Sequence, residues 1–265
     1  MQPKVLYIFW TSSTTGGQMR LKERVAIVTG GASGLGRHFS LALAREGARI
    51  MVADIADCEQ TMKEIEASGR VAKGLRTDVS SAEDTQKMAA ETVKTFGKID
   101  ILVNCAAIVA GLQRKSFMEI DPAEWDRVMA VNVKGPWLCT KAVFPYMKQQ
   151  GKGKIINFAS ETFFTGSHGF VHYVTSKGGV VGMTRSLAVE LGPYNININA
   201  IAPGFTNSEG ARAVGDVTKY DVSRTPLGRL EQPQDLFGAL VFLASDDSDF
   251  VTGQTLLVDG GRVKN

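Results

Sequence analysis

From Arg24 onward the chain alternates short apolar runs with longer stretches of mixed polarity. The runs VAIVTG (25–30), RIMVAD (49–54), DILVNCA (100–106), KIINFAS (154–160), NININAIA (195–202) and QTLLVDG (254–260) predict buried strands, and VAKGLRTDV (71–79) contains another. Helices are predicted over 34–47, 58–69, 81–97, 123–149, about 173–191 and 233–245. Ser81 is a good N-cap, and acids follow it in the first turn. Strands that are apolar on both faces, each followed by a helix, predict an α/β fold. The expectation is a single-domain, Rossmann-like, doubly wound parallel sheet of about seven strands with helices on both faces. The irregular stretch 205–231 reads as a mobile substrate flap.

Composition narrows the setting. With 265 residues, 44% hydrophobic and 22% charged, the chain can bury a sizeable core. A net charge of +3, on scattered basic residues, gives no footprint for nucleic acid. No apolar run approaches the ~20 residues that span a bilayer, so no membrane partner is expected. Cys58, Cys105 and Cys139 form no CxxC pair, which argues against a structural metal or a disulfide framework and for a reducing cytoplasm. Residues 1–20 differ in character: six apolar residues, VLYIFW (5–10), precede the linker-like TSSTTGGQ. They are expected to be an N-terminal extension ahead of a domain over 21–265.

Between the first strand and helix lies TGGASGLG, with Gly30, Gly34 and Gly36. Such a loop turns sharply, lets a pyrophosphate approach the backbone, and aims a helix N-terminus at the anion. The common GxGxxG spacing does not fit, because Phe39 stands where the third glycine would be. Asp54 ends the second strand, eighteen residues after Gly36. A carboxylate there accepts the ribose hydroxyls and repels a 2′-phosphate, and with Ser33 and Ile55 rather than basic residues nearby it predicts NAD. Asp78 and Val79 could contact the adenine; Asp78 also reads as a turn residue.

Tyr173 and Lys177 are four apart on one predicted helix face, and Ser160 ends a strand thirteen residues earlier. An ammonium near a phenol is expected to lower its pKa and make it a general acid/base. With TGGASGLG, Asp54, DV (78–79), DILVN (100–104), VNVKG (131–135), Ser160, YVTSK, APG (202–204) and VTGQTLLVDGG (251–261), the chain resembles the short-chain dehydrogenase/reductase family from about Leu21 to its end. The resemblance implies a catalytic set of Asn132, Ser160, Tyr173 and Lys177. Asn132 would hold a helix distortion and a proton-relay water, Ser160 would orient the substrate oxygen, Tyr173 would transfer the proton, and Lys177 would bind the nicotinamide ribose. It also implies cofactor contacts from Gly30, Ser33, Gly34, Leu35, Gly36, Asn104 and Ala106, and from Pro203, Gly204 and Thr206 over the nicotinamide. Cys105 and Ala107 depart from the family's Asn-Asn-Ala-Gly, and Ala107 is expected to narrow the space beside the ribose.

The resemblance extends to NAD-dependent members that oxidise aromatic secondary alcohols or pyridoxal. The implied function is hydride transfer between a small-molecule secondary alcohol, or its ketone, and NAD. The alternatives are a 3-oxoacyl-carrier-protein reductase and, more remotely, a non-catalytic dinucleotide sensor. Val109, Thr162, Phe163, Phe164 and His168 are expected to line the substrate pocket. His168 and His172 share no obvious helix and have no nearby carboxylate or cysteine ligand, so no metal is expected. Gly178, Gly179 and Gly182 would leave a smooth helix surface, and the family habit implies a homotetramer.

Overall fold

A computed structural model describes residues 19–214 and 217–264; VLYIFW lies outside the described residues. Seven parallel strands form one sheet: β1 (Val25–Thr29), β2 (Arg49–Asp54), β3 (Ala72–Arg76), β4 (Ile101–Asn104), β5 (Gly153–Phe158), β6 (Ile196–Pro203) and β7 (Thr255–Val258). Their order is β3-β2-β1-β4-β5-β6-β7. The order reverses between β1 and β4, and the crevice at the carboxyl ends of such strands is where doubly wound sheets bind ligands. Every residue of β1, β4, β5 and β6 is buried, as strands covered on both faces require.

The connecting helices are α1 (Gly34–Arg45), α2 (Glu59–Ala67), α3 (Ala82–Phe96), α4 (Pro122–Met129), α5 (Gly135–Gln150), α6 (Thr162–Thr165), α7 (Val171–Leu191), α8 (Glu209–Val214) and α9 (Phe237–Ala244). Ser81 caps α3 as expected, accepting the Asp84 amide at 3.2 Å. One apolar cluster on one sheet face includes Phe39, Leu43, Leu236 and Leu240. Another, on the opposite face, includes Met88, Val143, Met147 and Leu191.

Three expectations need correction. The helix predicted over 123–149 is interrupted by a π-helical turn at Ala130–Lys134. Pro136 has no amide to offer the carbonyl of residue 132, so the regular ladder cannot continue there. The segment predicted helical from 233 starts as a 3₁₀ turn, Pro233–Leu236. Gly178 and Gly179 are covered within the chain: a Cβ at Gly178 would come within 3.0 Å of the Phe163 ring and one at Gly179 within 3.2 Å of Val133, while Gly182 is open. Arg20, at the border between the expected extension and the domain, pairs with Asp247 at 2.5 Å.

Phe39, the residue in the third-glycine position, is wholly buried and stacks on Phe158 with ring centroids 4.6 Å apart. It fills the space between α1 and the end of β5. Phe39→Ala is expected to destabilise the protein by about 3–5 kcal/mol through lost burial and a residual cavity, read as a lowered denaturant midpoint with little change in slope.

Candidate functional site

At the switch point a cleft of about 500 Å³ runs along the ends of β1, β2 and β4. Its floor is the β1–α1 loop. Gly30 has φ +67°, and a Cβ there would lie 2.8 Å from the Ala106 Cα. A Cβ at Gly36 would lie 2.0 Å from the Gly30 carbonyl oxygen, so the turn excludes any side chain there. Ser33, Gly34 and Leu35 complete the loop's contribution, and Val79, Ala106 and Ala107 line the facing wall.

Asp54 sits at the cleft's end with its carboxylate held by two amides, Ala32 N at 3.0 Å and Ala56 N at 2.9 Å. Asp78 lines the cleft while accepting the Ser80 amide (2.8 Å) and hydroxyl (2.7 Å), so it is both a turn residue and a wall residue. The Glu209 carboxylate accepts the Gly34 amide at 3.3 Å and lies 3.8 Å from Arg37. The amino end of α1 therefore already receives an anion. A glycine cradle that no Cβ could enter, anion-seeking amides and a carboxylate at the end of β2 together fit a nicotinamide dinucleotide.

Asn104 departs from its expected place. It is buried, and its Nδ2 donates to Asn157 Oδ1 at 2.9 Å inside the sheet rather than lining the cleft. Pro203, Gly204 and Thr206 follow β6. The Pro203 carbonyl accepts the Glu161 amide, while Gly204 and Thr206 border a second cavity.

The four proposed catalytic side chains come from three places in the fold: the π turn, the end of β5, and α7, which carries both Tyr173 and Lys177. Asn132 is buried in the π turn. Its Oδ1 accepts the Ile108 amide at 2.7 Å, and its Nδ2 donates to the Ile108 carbonyl and to Ser176 Oγ, both at 3.1 Å. Ser176 Oγ in turn donates to the Tyr173 carbonyl at 2.7 Å. Ser160 follows β5, and its Oγ accepts from the Thr162 amide (3.2 Å) and hydroxyl (3.0 Å). Lys177 is 4% exposed, donates to the Phe158 carbonyl at 2.8 Å, and lies 5.6 Å from the centre of the Tyr173 ring.

Burial governs the protons here. It pushes the Tyr173 phenol up to about 12, against the pull of its hydrogen bond with Ser160. It also brings the Lys177 ammonium down to about 8. Loss of solvent is the largest influence on the phenol in the chain alone, and it sets the net direction upward. Cys105 lines the cleft beside them with its thiol pushed up to about 12 by burial, which makes it a small apolar wall residue and not a nucleophile.

Ser160 and Tyr173 open onto a cavity of about 230 Å³ that joins the cleft at Val109 and Ser208. Val109 and Thr162 line it as expected; Phe163, Phe164 and His168 do not. In α6 the threonines at 162 and 165 face the cavity, which turns the two phenylalanines away. Phe163 covers Gly178, Phe164 packs against Ala159, Val180 and Val181, and the two rings meet edge to face at 4.9 Å. His168 contributes only its carbonyl, which accepts from Arg114 at 2.6 Å. His172 is buried, with Nε2 3.1 Å from Glu124 Oε1. No cluster that could hold a metal ion occurs among the described residues.

Over residues 30–262 the chain matches the family described as enoyl-(acyl carrier protein) reductase. The chain belongs to the short-chain dehydrogenase/reductase family. It is 41% identical to the (2S)-[(R)-hydroxy(phenyl)methyl]succinyl-CoA dehydrogenase subunit BbsD of Thauera aromatica, covering 92% of this chain and 98% of that one. It is 40% identical to 2-dehydro-3-deoxy-D-gluconate 5-dehydrogenase of Dickeya dadantii, covering 91% and 96%. A short-chain type dehydrogenase/reductase from Mycobacterium marinum superposes with a TM-score of 0.87 at 31% identity, over 94% of this chain and 98% of that one. As a short-chain dehydrogenase/reductase the chain is an oxidoreductase that uses a nicotinamide cofactor and acts on CH–OH or ketone groups.

In this family member the cavity holds residues that sequence reasoning did not name singly: Arg114, Phe205, Tyr220 and Arg262, with Glu161, which falls in the stretch between Ser160 and Tyr173. They come from four separate stretches, and no short motif marks them; only the flap assignment pointed towards Phe205 and Tyr220. Glu231 was also missed. It anchors the flap by accepting the Gly204 amide at 2.9 Å and the Thr206 hydroxyl at 2.6 Å. Burial raises its pKa to about 7. The folded carboxyl therefore keeps a proton that the unfolded chain has already released, and stability falls as pH rises from about 4.5 to about 7. Glu231→Gln is expected to melt higher than the parent at about pH 8, with the difference shrinking as pH falls through that window.

Proposed function

We propose that this chain is an NAD-dependent secondary-alcohol dehydrogenase and ketone reductase with Tyr173 as its general acid/base. The observation that carries the reading is the convergence of Ser160 and Tyr173 on one cavity that opens into the glycine-floored cleft, with Lys177 buried behind the phenol.

When bound, the nicotinamide supplies or accepts the hydride. The chain's own residues manage orientation and the proton. Gly30, Ser33, Gly34, Leu35 and Gly36 would hold the pyrophosphate, with Glu209 displaced from the Gly34 amide. Asp54 would accept the adenosine ribose hydroxyls, and its fixed negative charge disfavours a 2′-phosphate. Arg37, the nearby cation, is engaged by Glu64 and Glu209. Ser160 Oγ would orient the reacting oxygen. Tyr173, protonated across the neutral range with a pKa of about 12, is ready to donate to a carbonyl oxygen. Lys177, at about 8, is mostly cationic at neutral pH and would favour the phenolate as it forms. Asn132 and Ser176 act as positioning residues that tie the π turn to the Tyr173 backbone.

A 3-oxoacyl-carrier-protein reductase is the second reading. It is supported by 37% identity to such an enzyme of Thermotoga maritima, covering 92% of this chain and all of that one. A homotetramer in the cytoplasm completes the proposal. Trp137 on α5 and Val189 on α7 are exposed apolar residues suited to helix-to-helix contact, and the three cysteines are unpaired. No helix among the described residues is long and apolar enough to cross a membrane.

Tyr173→Phe is expected to cut turnover at least about 100-fold while NADH binding, followed by fluorescence, stays nearly intact; retained turnover would remove Tyr173 from this role. Asp54→Ala is expected to raise the NADP-to-NAD ratio of kcat/KM about tenfold, some 1.4 kcal/mol of lost discrimination. A parent protein that already uses NADP equally well would overturn the choice of NAD.

A further inference from the structure

The residue next to Ser160 is unusual for a cavity meant to take a hydrocarbon. Glu161 is 5% exposed and lines the cavity. Its backbone is fastened on both sides: its amide donates to the Pro203 carbonyl at 2.9 Å, and its carbonyl accepts the Phe164 amide at 2.8 Å. Its side chain is therefore aimed by the ends of β5 and β6, not by a loose loop. Oε1 accepts from the Tyr220 hydroxyl at 3.3 Å. Oε2 makes no hydrogen bond among the described residues; the nearest cation, Arg262 Nε, stands 3.5 Å away at ion-pair distance.

The surroundings of Glu161 are aromatic and polar. Tyr220 stacks on Phe205 at 4.5 Å, and Arg262 lies over the Tyr220 ring at 5.3 Å. Thr162, Thr165, Ser167 and Ser208 add hydroxyls to the cavity lining. Arg114 also borders the cavity. It contacts Ser167 Oγ at 3.1 Å, the His168 carbonyl at 2.6 Å and the Phe170 ring at 4.4 Å, and forms no ion pair among the described residues. A buried carboxylate oxygen without a donor costs free energy. An aromatic or aliphatic group pressed against it would exclude water and leave that cost in place. A ligand hydroxyl would remove it.

We propose that Glu161 is a specificity-determining residue that accepts a hydrogen bond from a second hydroxyl of the substrate, and that the substrate is a polyhydroxylated carboxylic acid whose acid group faces Arg114. This rests on the reading of Ser160 and Tyr173 as the reacting end of the cavity. The hydroxyl meeting Glu161 sits close to the carbon that reacts, because Glu161 directly follows Ser160. The carboxylate reaches Arg114 on the cavity border, which offers a charge-assisted bond. The cavity thereby discriminates through buried polar groups, which reject analogues lacking a hydroxyl far more strongly than apolar walls reject a missing methylene.

The test measures NADH formation or consumption by the full-length protein on four probes: six-carbon polyhydroxy acids and their keto forms, the matching neutral polyols, simple aliphatic 2-alkanols, and 1-phenylethanol. The polyhydroxy acids are expected to show the highest kcat/KM. Glu161→Gln should lower their kcat/KM at least about tenfold more than that of the 2-alkanols, mainly through KM. Arg114→Met should raise KM for the acids and spare the neutral polyols. Glu161→Asp, which keeps the charge, serves where Glu161→Gln fails to fold, and is expected to retain part of the preference. A parent protein that prefers 1-phenylethanol, or a Glu161→Gln variant that loses equally on every probe, overturns the inference. Tyr173→Phe assayed alongside separates the two failures: if it stays inactive, the reacting end stands and only the substrate class is wrong.

Discussion

The site depends on how α7 is fastened to the sheet. Lys177 donates to the Phe158 carbonyl at the end of β5, and Thr184 Oγ1, one helix stretch further on, accepts from Asn157 Nδ2 at 2.9 Å. Asn157 in turn receives Asn104 across the β4–β5 register, where the two residues are paired. These bonds are buried, so each would be expensive to break. They fix the rotation of α7, and with it the direction in which Tyr173 points. Asn132 adds a second tether through Ser176 from the opposite side. A chain that lost this ladder could keep its sheet and still leave the phenol misaimed.

The same logic gives the cleft its shape. Gly36 must lack a side chain because the Gly30 carbonyl occupies the space, whereas Phe39 one turn later is free to be large and becomes the wedge between α1 and β5. Close approach is therefore concentrated in the loop itself, and the helix behind it is held off by an aromatic stack. The Glu209 carboxylate on the Gly34 amide links this loop to the flap. Binding of a dinucleotide and movement of α8 would then be coupled, since two anions compete for one set of amides.

The cavity is bordered by polar and charged side chains as well as aromatic ones. Two adjacent phenylalanines suggested an apolar pocket, yet the helical phase of α6 places threonines on the cavity side and the rings against α7. Glu161, Tyr220 and Arg262 then supply a charged wall in their place. The relatives named above act on quite different compounds, so membership alone leaves the substrate open, and the wall residues carry the argument.

Much of the fold was legible in the chain: seven apolar runs alternating with helical segments admit few arrangements other than a doubly wound sheet. The positions of the glycine loop, Asp54, Ser160, Tyr173 and Lys177 were legible too, because each lies at a strand end or on a helix face that follows from the local pattern. What lay beyond the sequence were contacts between distant segments. Asn104 looked like a cofactor residue and is a sheet bond, because only the β4–β5 register brings Asn157 beside it. The spacing of Tyr173 and Lys177 was legible, but the depth at which both are buried, which pushes the phenol up and the ammonium down, was not. Glu161, Tyr220 and Arg262 are separated by up to a hundred residues and meet only when β5, the flap and the tail after β7 converge. Local periodicity dictates which way a side chain faces; burial and the company it keeps are set by the packing of the whole chain, and so the residues that meet around the cavity were decided by the tertiary structure.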